Sequence, residues 1–147
     1  MGIFGSLDTS ASALTAQRLR MDIISQNIAN ASTTRTQNGT PYRRKVVILE
    51  ENNSSVPFSA FLTEAARKKI DSKGVRISHI TEDTTPFELA YDPGHPDADE
   101  NGYVSMPNVD IVTEMVNMIS ASRSYEANIT AMNTTKSMAM KALDIGR

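Results

Sequence analysis

From Ile111 to Leu143 the chain carries one row of residues at alternating steps of four and three: Ile111, Met115, Met118, Ser122, Tyr125, Ile129, Met132, Lys136, Ala139 and Leu143. Only Ser122 and Lys136 break its apolar character. Residues so spaced lie along one face of a helix, and an apolar face needs a second surface to cover it. Val112, Val116 and Ile119 form a further row that widens the stripe near its start. The pattern predicts a helix over Val109–Ile145, with Asn108 as its N-cap after Pro107 and Gly146 as its stop. Asp110 and Glu114 near the beginning, and Lys136 and Lys141 near the end, suit the helix dipole. Such a helix is about 55 Å long at 1.5 Å per residue. A compact globule of 147 residues is only about 40 Å across, so the helix overhangs it.

A mate for this helix is found at the other end of the chain. Leu7, Leu14, Met21 and Ile28 recur every seven residues, with Ala11 and Ile24 on or beside the row. They predict a helix over about 7–29, with Ser6 as N-cap and Asn30 and Ser32-Thr33-Thr34 as the terminating cluster. Residues 1–34 hold only four charges, Asp8, Arg18, Arg20 and Asp22, so few side chains resist close packing on several sides. This helix is shorter than its mate by about 20 Å, and part of the long stripe is left for other chains. A self-contained antiparallel hairpin capped by a small β-domain is the alternative on pattern alone. The candidate assembly interface is Leu7, Leu14, Met21 and Ile28 with Ile111, Met115, Met118, Tyr125, Ile129, Met132 and Leu143.

Between the helices the character changes, which divides the chain into 1–34, 35–106 and 107–147. Gly, Pro, Asn and charges concentrate in the middle zone. Lys45–Glu50 reads as a strand after the turn Asn38-Gly39-Thr40-Pro41, and Val75–Ile80 alternates as a second. Asn101-Gly102 marks a turn into a short strand at Tyr103-Val104. Phe58 to Lys69 fits a short amphipathic helix or an ordered loop. The expected fold class is therefore α+β: extended N- and C-terminal helices pairing as a coiled-coil-like hairpin around a small, mainly β middle domain.

Chemistry has little to work with. The chain has no cysteine, which removes disulfides and thiolate metal sites, and its net charge of −2 points to neither nucleic acid nor an acidic membrane. No run of 18 apolar residues occurs, so no membrane-spanning helix is expected. The start lacks a basic n-region and an apolar h-region, as a cleaved signal peptide would have, and the myristoylation pattern at Gly2 fits only if Ser6 is counted. Asp97-Ala98-Asp99-Glu100-Asn101-Gly102 imitates the opening of a calcium-binding EF-hand loop. Its twelfth position is Asn108 rather than Glu, however, and Pro93 and Pro96 oppose a preceding helix, so a plain acidic turn is the better reading. His79 and His95 lie in separate segments without a third ligand at a recognisable spacing. No nucleophile elbow and no phosphate-binding glycine loop appears. Arg43-Arg44-Lys45 is a short basic run beside a strand and reads as a solvated edge or a contact with an acidic neighbour. No catalytic residue, cofactor or metal is expected.

Three stretches carry a resemblance. Leu19–Thr33, reading LRMDIISQNIANAST, resembles the start of flagellar rod and hook proteins, and Met115–Asn128, reading MVNMISASRSYEAN, resembles their ending. The run Tyr91–Val104, YDPGHPDADENGYV, followed by Met106-Pro107-Asn108-Val109, is similar to the proximal-rod type, as is the short total length. The resemblance covers about the first 50 residues and about 87–147, while Asn52–Ser72 matches nothing in the family pattern. It implies a structural subunit of the proximal rod of the flagellar basal body, not an enzyme. The subunit would leave through the flagellar type III export apparatus without a cleaved signal peptide. It would polymerise in the periplasm through its terminal helices and transmit motor torque. The implied partners are other copies of itself, other proximal-rod proteins, the rod–MS-ring adapter and the distal-rod protein. Another axial rod or hook subunit is the nearest alternative, and a small calcium-binding module the more distant one.

Overall fold

The computed structural model describes residues 3–52 and 74–145. The expected helix or loop at Phe58–Lys69 and the helix stop at Gly146 lie outside these residues. Six elements follow in order: α1 (Ile3–Ala29), β1 (Lys45–Glu51), β2 (Val75–Glu82), β3 (Glu88–Tyr91), β4 (Tyr103–Met106) and α2 (Ile111–Ile145). The fold is α+β, two long terminal helices with a small middle of antiparallel strands. β1 pairs with β2, and β3 with β4, in separate two-stranded ribbons.

Both helices differ from expectation at their beginnings. α1 starts at Ile3, so Ser6 lies within its first turns and is not the N-cap. α2 starts at Ile111, and Asp110 takes the capping place expected of Asn108. The Asp110 carboxylate accepts the Val112 N–H at 3.0 Å and the Thr113 hydroxyl at 2.5 Å, while its carbonyl accepts the Glu114 N–H. Those bonds, the Thr113 hydroxyl first, hold the Asp110 carboxyl below the usual aspartate range. A carboxylate is the better cap here because it also meets the positive end of the helix dipole.

The chain divides into two compact units. The first holds the described residues of Met1–Arg18, Leu49–Ser78 and Ser122–Arg147. Here the Ser12 hydroxyl on α1 accepts the Val75 N–H at 3.1 Å and donates to the Thr9 carbonyl at 2.7 Å. Gly74, just before β2, has φ of +91°, a conformation open to glycine, and a Cβ there would collide with the Ser12 hydroxyl. Its carbonyl accepts the Asn52 N–H at 2.8 Å. Glu50 of β1 reaches β2 through Arg76 at 3.1 Å and through the Ser78 hydroxyl at 2.6 Å.

The second unit holds Leu19–Ile48 and His79–Ala121. Its buried apolar residues are Ile23, Ile24, Val104 and Ala121. The β3–β4 ribbon is antiparallel, with Glu88 opposite Met106 and Tyr91 opposite Tyr103, whose rings meet edge to face at 5.3 Å. β3 carries no sequence signal of its own, because its four residues, set between Pro86 and Pro93, show too little alternation to mark a strand. The turn into β4 is at Asn101-Gly102 as expected, with Gly102 at φ +80°. Asp99 closes that turn by accepting the N–H groups of Asn101 and Tyr103 at 2.9 and 2.8 Å.

Candidate assembly site

Two groups of residues bear on what the chain can do. One is a buried polar junction and the other an exposed apolar face.

The junction is built where the end of α1, the start of β1 and the first turn of α2 meet. Asn27 on α1 and Glu114 on α2 are each 1% exposed. The Asn27 amide donates to Glu114 Oε2 at 3.0 Å and to the Lys45 carbonyl at 2.9 Å. Its oxygen accepts the Lys45 N–H at 3.0 Å and the Tyr42 hydroxyl at 3.0 Å. All four hydrogen-bonding valences of the side chain are filled. Toward Lys45 it offers one donor and one acceptor, as a neighbouring strand would.

Glu114 Oε1 accepts from both Arg44 Nε at 2.9 Å and Nη2 at 2.7 Å, two charge-assisted bonds converging on one oxygen. Arg44 also reaches Asp83 at 3.2 Å. Burial works against the Arg44 charge, but the hydrogen bonds and charges of Glu114 and Asp83 outweigh it and raise its pKa. Asp83 is held below the aspartate range, first by hydrogen bonds from Thr85 and then by Arg44. Burial, with the nearby charges of Glu114 and Glu82, pushes the Tyr42 phenol up and keeps it a donor. Asn108, displaced from its expected capping role, accepts the Arg44 N–H at 2.9 Å and donates to Thr85 Oγ1 at 2.8 Å.

The basic run therefore has a different role from the one its sequence implied. The acidic contact of Arg44 lies in the same chain and is buried. Arg43 stacks on Phe87, 4.4 Å from its ring centre.

The exposed face belongs to α2. Val112, Val116 and Ile119 are 64%, 61% and 54% exposed. Of the expected interface residues, Ile111, Met115, Ile129 and Leu143 are also exposed, while Met118, Tyr125 and Met132 are half-buried. On α1, Leu7, Leu14, Met21 and Ile28 are all half-buried. The most covered face of α1 lies beside that row, at Ala16, Ile23, Ile24 and Asn27. Toward its end α2 exposes Met138, Met140, Leu143 and Ile145, which point in different directions around the axis.

The acidic turn spends its two aspartates inside the chain. Asp97 accepts the Thr34 hydroxyl at 2.8 Å and faces Arg35 at 3.6 Å, while Asp99 closes the turn described above. Among the described residues no cluster of three or more His, Asp or Glu side chains is set to hold a metal, and no helix is long and apolar enough to cross a membrane.

The sequence signal for the junction was present. Asn27 lies at helical spacing among Ile23, Ile24 and Ile28, and Glu114 lies between Ile111, Met115 and Met118. A polar residue inside an apolar stripe that has no solvent exit needs a partner.

Comparison with known proteins bears on the whole chain. Residues 7–36 match the family described as flagella basal body rod protein, and residues 100–145 match the C-terminal family of flagellar basal body rod FlgEFG proteins. The flagellar basal-body rod protein FlgC of Bacillus subtilis is 53% identical, with all of both chains covered. That of Borreliella burgdorferi is 49% identical over 99% of this chain and 98% of its own. That of Salmonella typhimurium is 43% identical, again over the full length of both.

Proposed function

Because this chain belongs to the FlgC family of flagellar basal-body rod proteins, we propose that it builds the proximal part of the rod by packing its terminal helices against neighbouring subunits, and so transmits torque. Its role as a structural subunit of the basal-body rod, assembling with other rod components, follows from the family itself.

The observation that carries the packing reading is the uncovered Val112–Val116–Ile119 row. Three branched aliphatic side chains on one helix edge, each more than half exposed, are expensive to leave in water. Ile111 and Met115 are exposed on the same turns of α2, and the other expected interface positions, Met118, Tyr125, Ile129, Met132 and Leu143 on α2 with Leu7, Leu14, Met21 and Ile28 on α1, complete the surfaces this reading assigns to packing. Rigid transmission needs many helix–helix contacts made at once, and a continuous stripe supplies them. Within this reading the partners are further copies, other proximal-rod proteins, the rod–MS-ring adapter and the distal-rod protein. Delivery is through the flagellar type III apparatus to the periplasm without a cleaved signal. The chain acts by rigidity and not by catalysis.

Val116→Asp and Ile129→Asp test the reading. Each places a charge where a neighbour packs, and burying it unpaired opposes incorporation. Isolated basal bodies from either variant are expected to lack the subunit, with swimming abolished while the free subunit keeps its level in the cell. Normal swimming and a normal amount of subunit in basal bodies would refute it.

A further inference from the structure

The apolar rows of the two terminal helices do not define a single alignment. Leu7, Leu14, Met21 and Ile28 repeat every seven residues, as do Ile111, Met118, Tyr125, Met132 and Ala139. The covered face of α1 keeps the same step from Ala16 to Ile23, so sliding one helix along the other by seven residues, about 10 Å, again sets apolar side chains opposite one another. Buried area changes little in such a slide, so hydrophobic packing alone selects weakly among the alignments.

We propose that the Asn27–Glu114 pair is the register key of the terminal helices, a positioning pair that selects one alignment of α1 against α2. Among the described residues these two are the buried polar side chains, and they are bonded to each other across the helices. The helices run in opposite senses, since the end of α1 meets the first turn of α2. A slide one way therefore places Asn27 opposite Ala121, which offers its side chain no hydrogen bond, and carries Glu114 past the end of α1 to the level of Thr34. A slide the other way offers Glu114 the Arg20 guanidinium but leaves Asn27 beyond the start of α2, at the level of Pro107. Either shift strips a buried amide or carboxylate of a partner, a penalty absent from the native alignment. Asn27 is itself tied twice to Lys45, so α1 carries β1 and Arg44 with it. The alignment is set within one copy, so the assembly reading can fail while this stands.

The chain has no cysteine, which makes it well suited to paired labels. Ala29→Cys on α1 and Ser120→Cys on α2, both at exposed positions, take two spin labels on the full-length chain. Double electron–electron resonance then reads the distance between them. The native pair is expected to give one narrow distance. Glu114→Gln keeps an acceptor for Asn27 and is expected to keep that single distance. Glu114→Met removes the link between the helices yet leaves Arg44 with Asp83 and Asn27 with Lys45 and Tyr42. It is expected to retain its helicity by circular dichroism and to add a shorter or a longer distance, since the axial offset of about 12 Å between the two labels becomes about 2 Å or about 22 Å after the two slides. A single unchanged distance in Glu114→Met would overturn the proposal, as would several distances in the native chain or in Glu114→Gln. Loss of helicity in Glu114→Met would overturn it too, because the pair would then hold the fold up instead of choosing among alignments.

Discussion

Val112 and Glu114 stand two residues apart on the first turns of α2 and meet opposite surroundings. Glu114, the charged one, is sealed inside, with both oxygens occupied by Asn27 and Arg44. Val112, the apolar one, faces water together with Val116 and Ile119. The usual sorting of side chains is inverted at this point. The inversion separates two tasks: the polar side fixes how the chain holds itself, and the apolar side is left for what the chain holds on to.

The comparison breaks most visibly if the polar side loses its cation. Arg44→Met leaves the Glu114 carboxylate buried without a counter-charge and is expected to cost about 3–5 kcal/mol, read by urea unfolding of the full chain. A loss below about 1 kcal/mol would mean that water reaches Glu114 and that the two sides differ less than the geometry implies. Tyr42→Phe removes one of four bonds to Asn27 while Lys45 still serves the same oxygen, so a smaller loss of about 1 kcal/mol is expected in the same measurement.

Acid sharpens the contrast further. Asp83 and Asp110 titrate below their unfolded values, so the stability they contribute is present above the ordinary aspartate range, near 4, and is lost as pH falls through their folded values. The midpoint of thermal unfolding is expected to fall on acidification below that range, and Asp83→Asn to flatten the fall. An unchanged acid limb in Asp83→Asn would assign the loss elsewhere. The smallest effect belongs to the apolar side. Val116→Ser is expected to change the stability of a single copy by no more than about 0.5 kcal/mol, because most of that side chain already faces water. A larger loss would show that the row is covered within the chain.

Both helices, β1, β2, β4 and two turns could be read in the sequence because each rests on local regularity. A row at steps of four and three, an alternation beside Asn-Gly, and a cluster of Ser and Thr after Ile28 all act over a few residues. The polar junction escaped because its pieces lie far apart along the chain. Asn27 and Glu114 are 87 residues apart, and Glu114 read alone as a charge that suits the helix dipole. Asn108 read as a cap because the local rule favours it, but Arg44 and Thr85 claimed its side chain and Asp110 was free to cap instead. Which face of α1 is most covered was likewise out of reach. The seven-residue row at Leu7, Leu14, Met21 and Ile28 is regular, whereas the buried set, Ala16, Ile23, Ile24 and Asn27, lies beside it and is chosen by what packs on it.

Sealing Glu114 also sets how the molecule responds to its surroundings. Dissolved ions weaken charge pairs that water can reach and barely touch those it cannot. The exposed bridge between Arg76 and Glu50 will loosen in brine, while the grip of Arg44 on Glu114 will hold from dilute to concentrated salt. A part that must stay stiff while its bathing medium changes gains from placing its most important charge pair out of the electrolyte's reach.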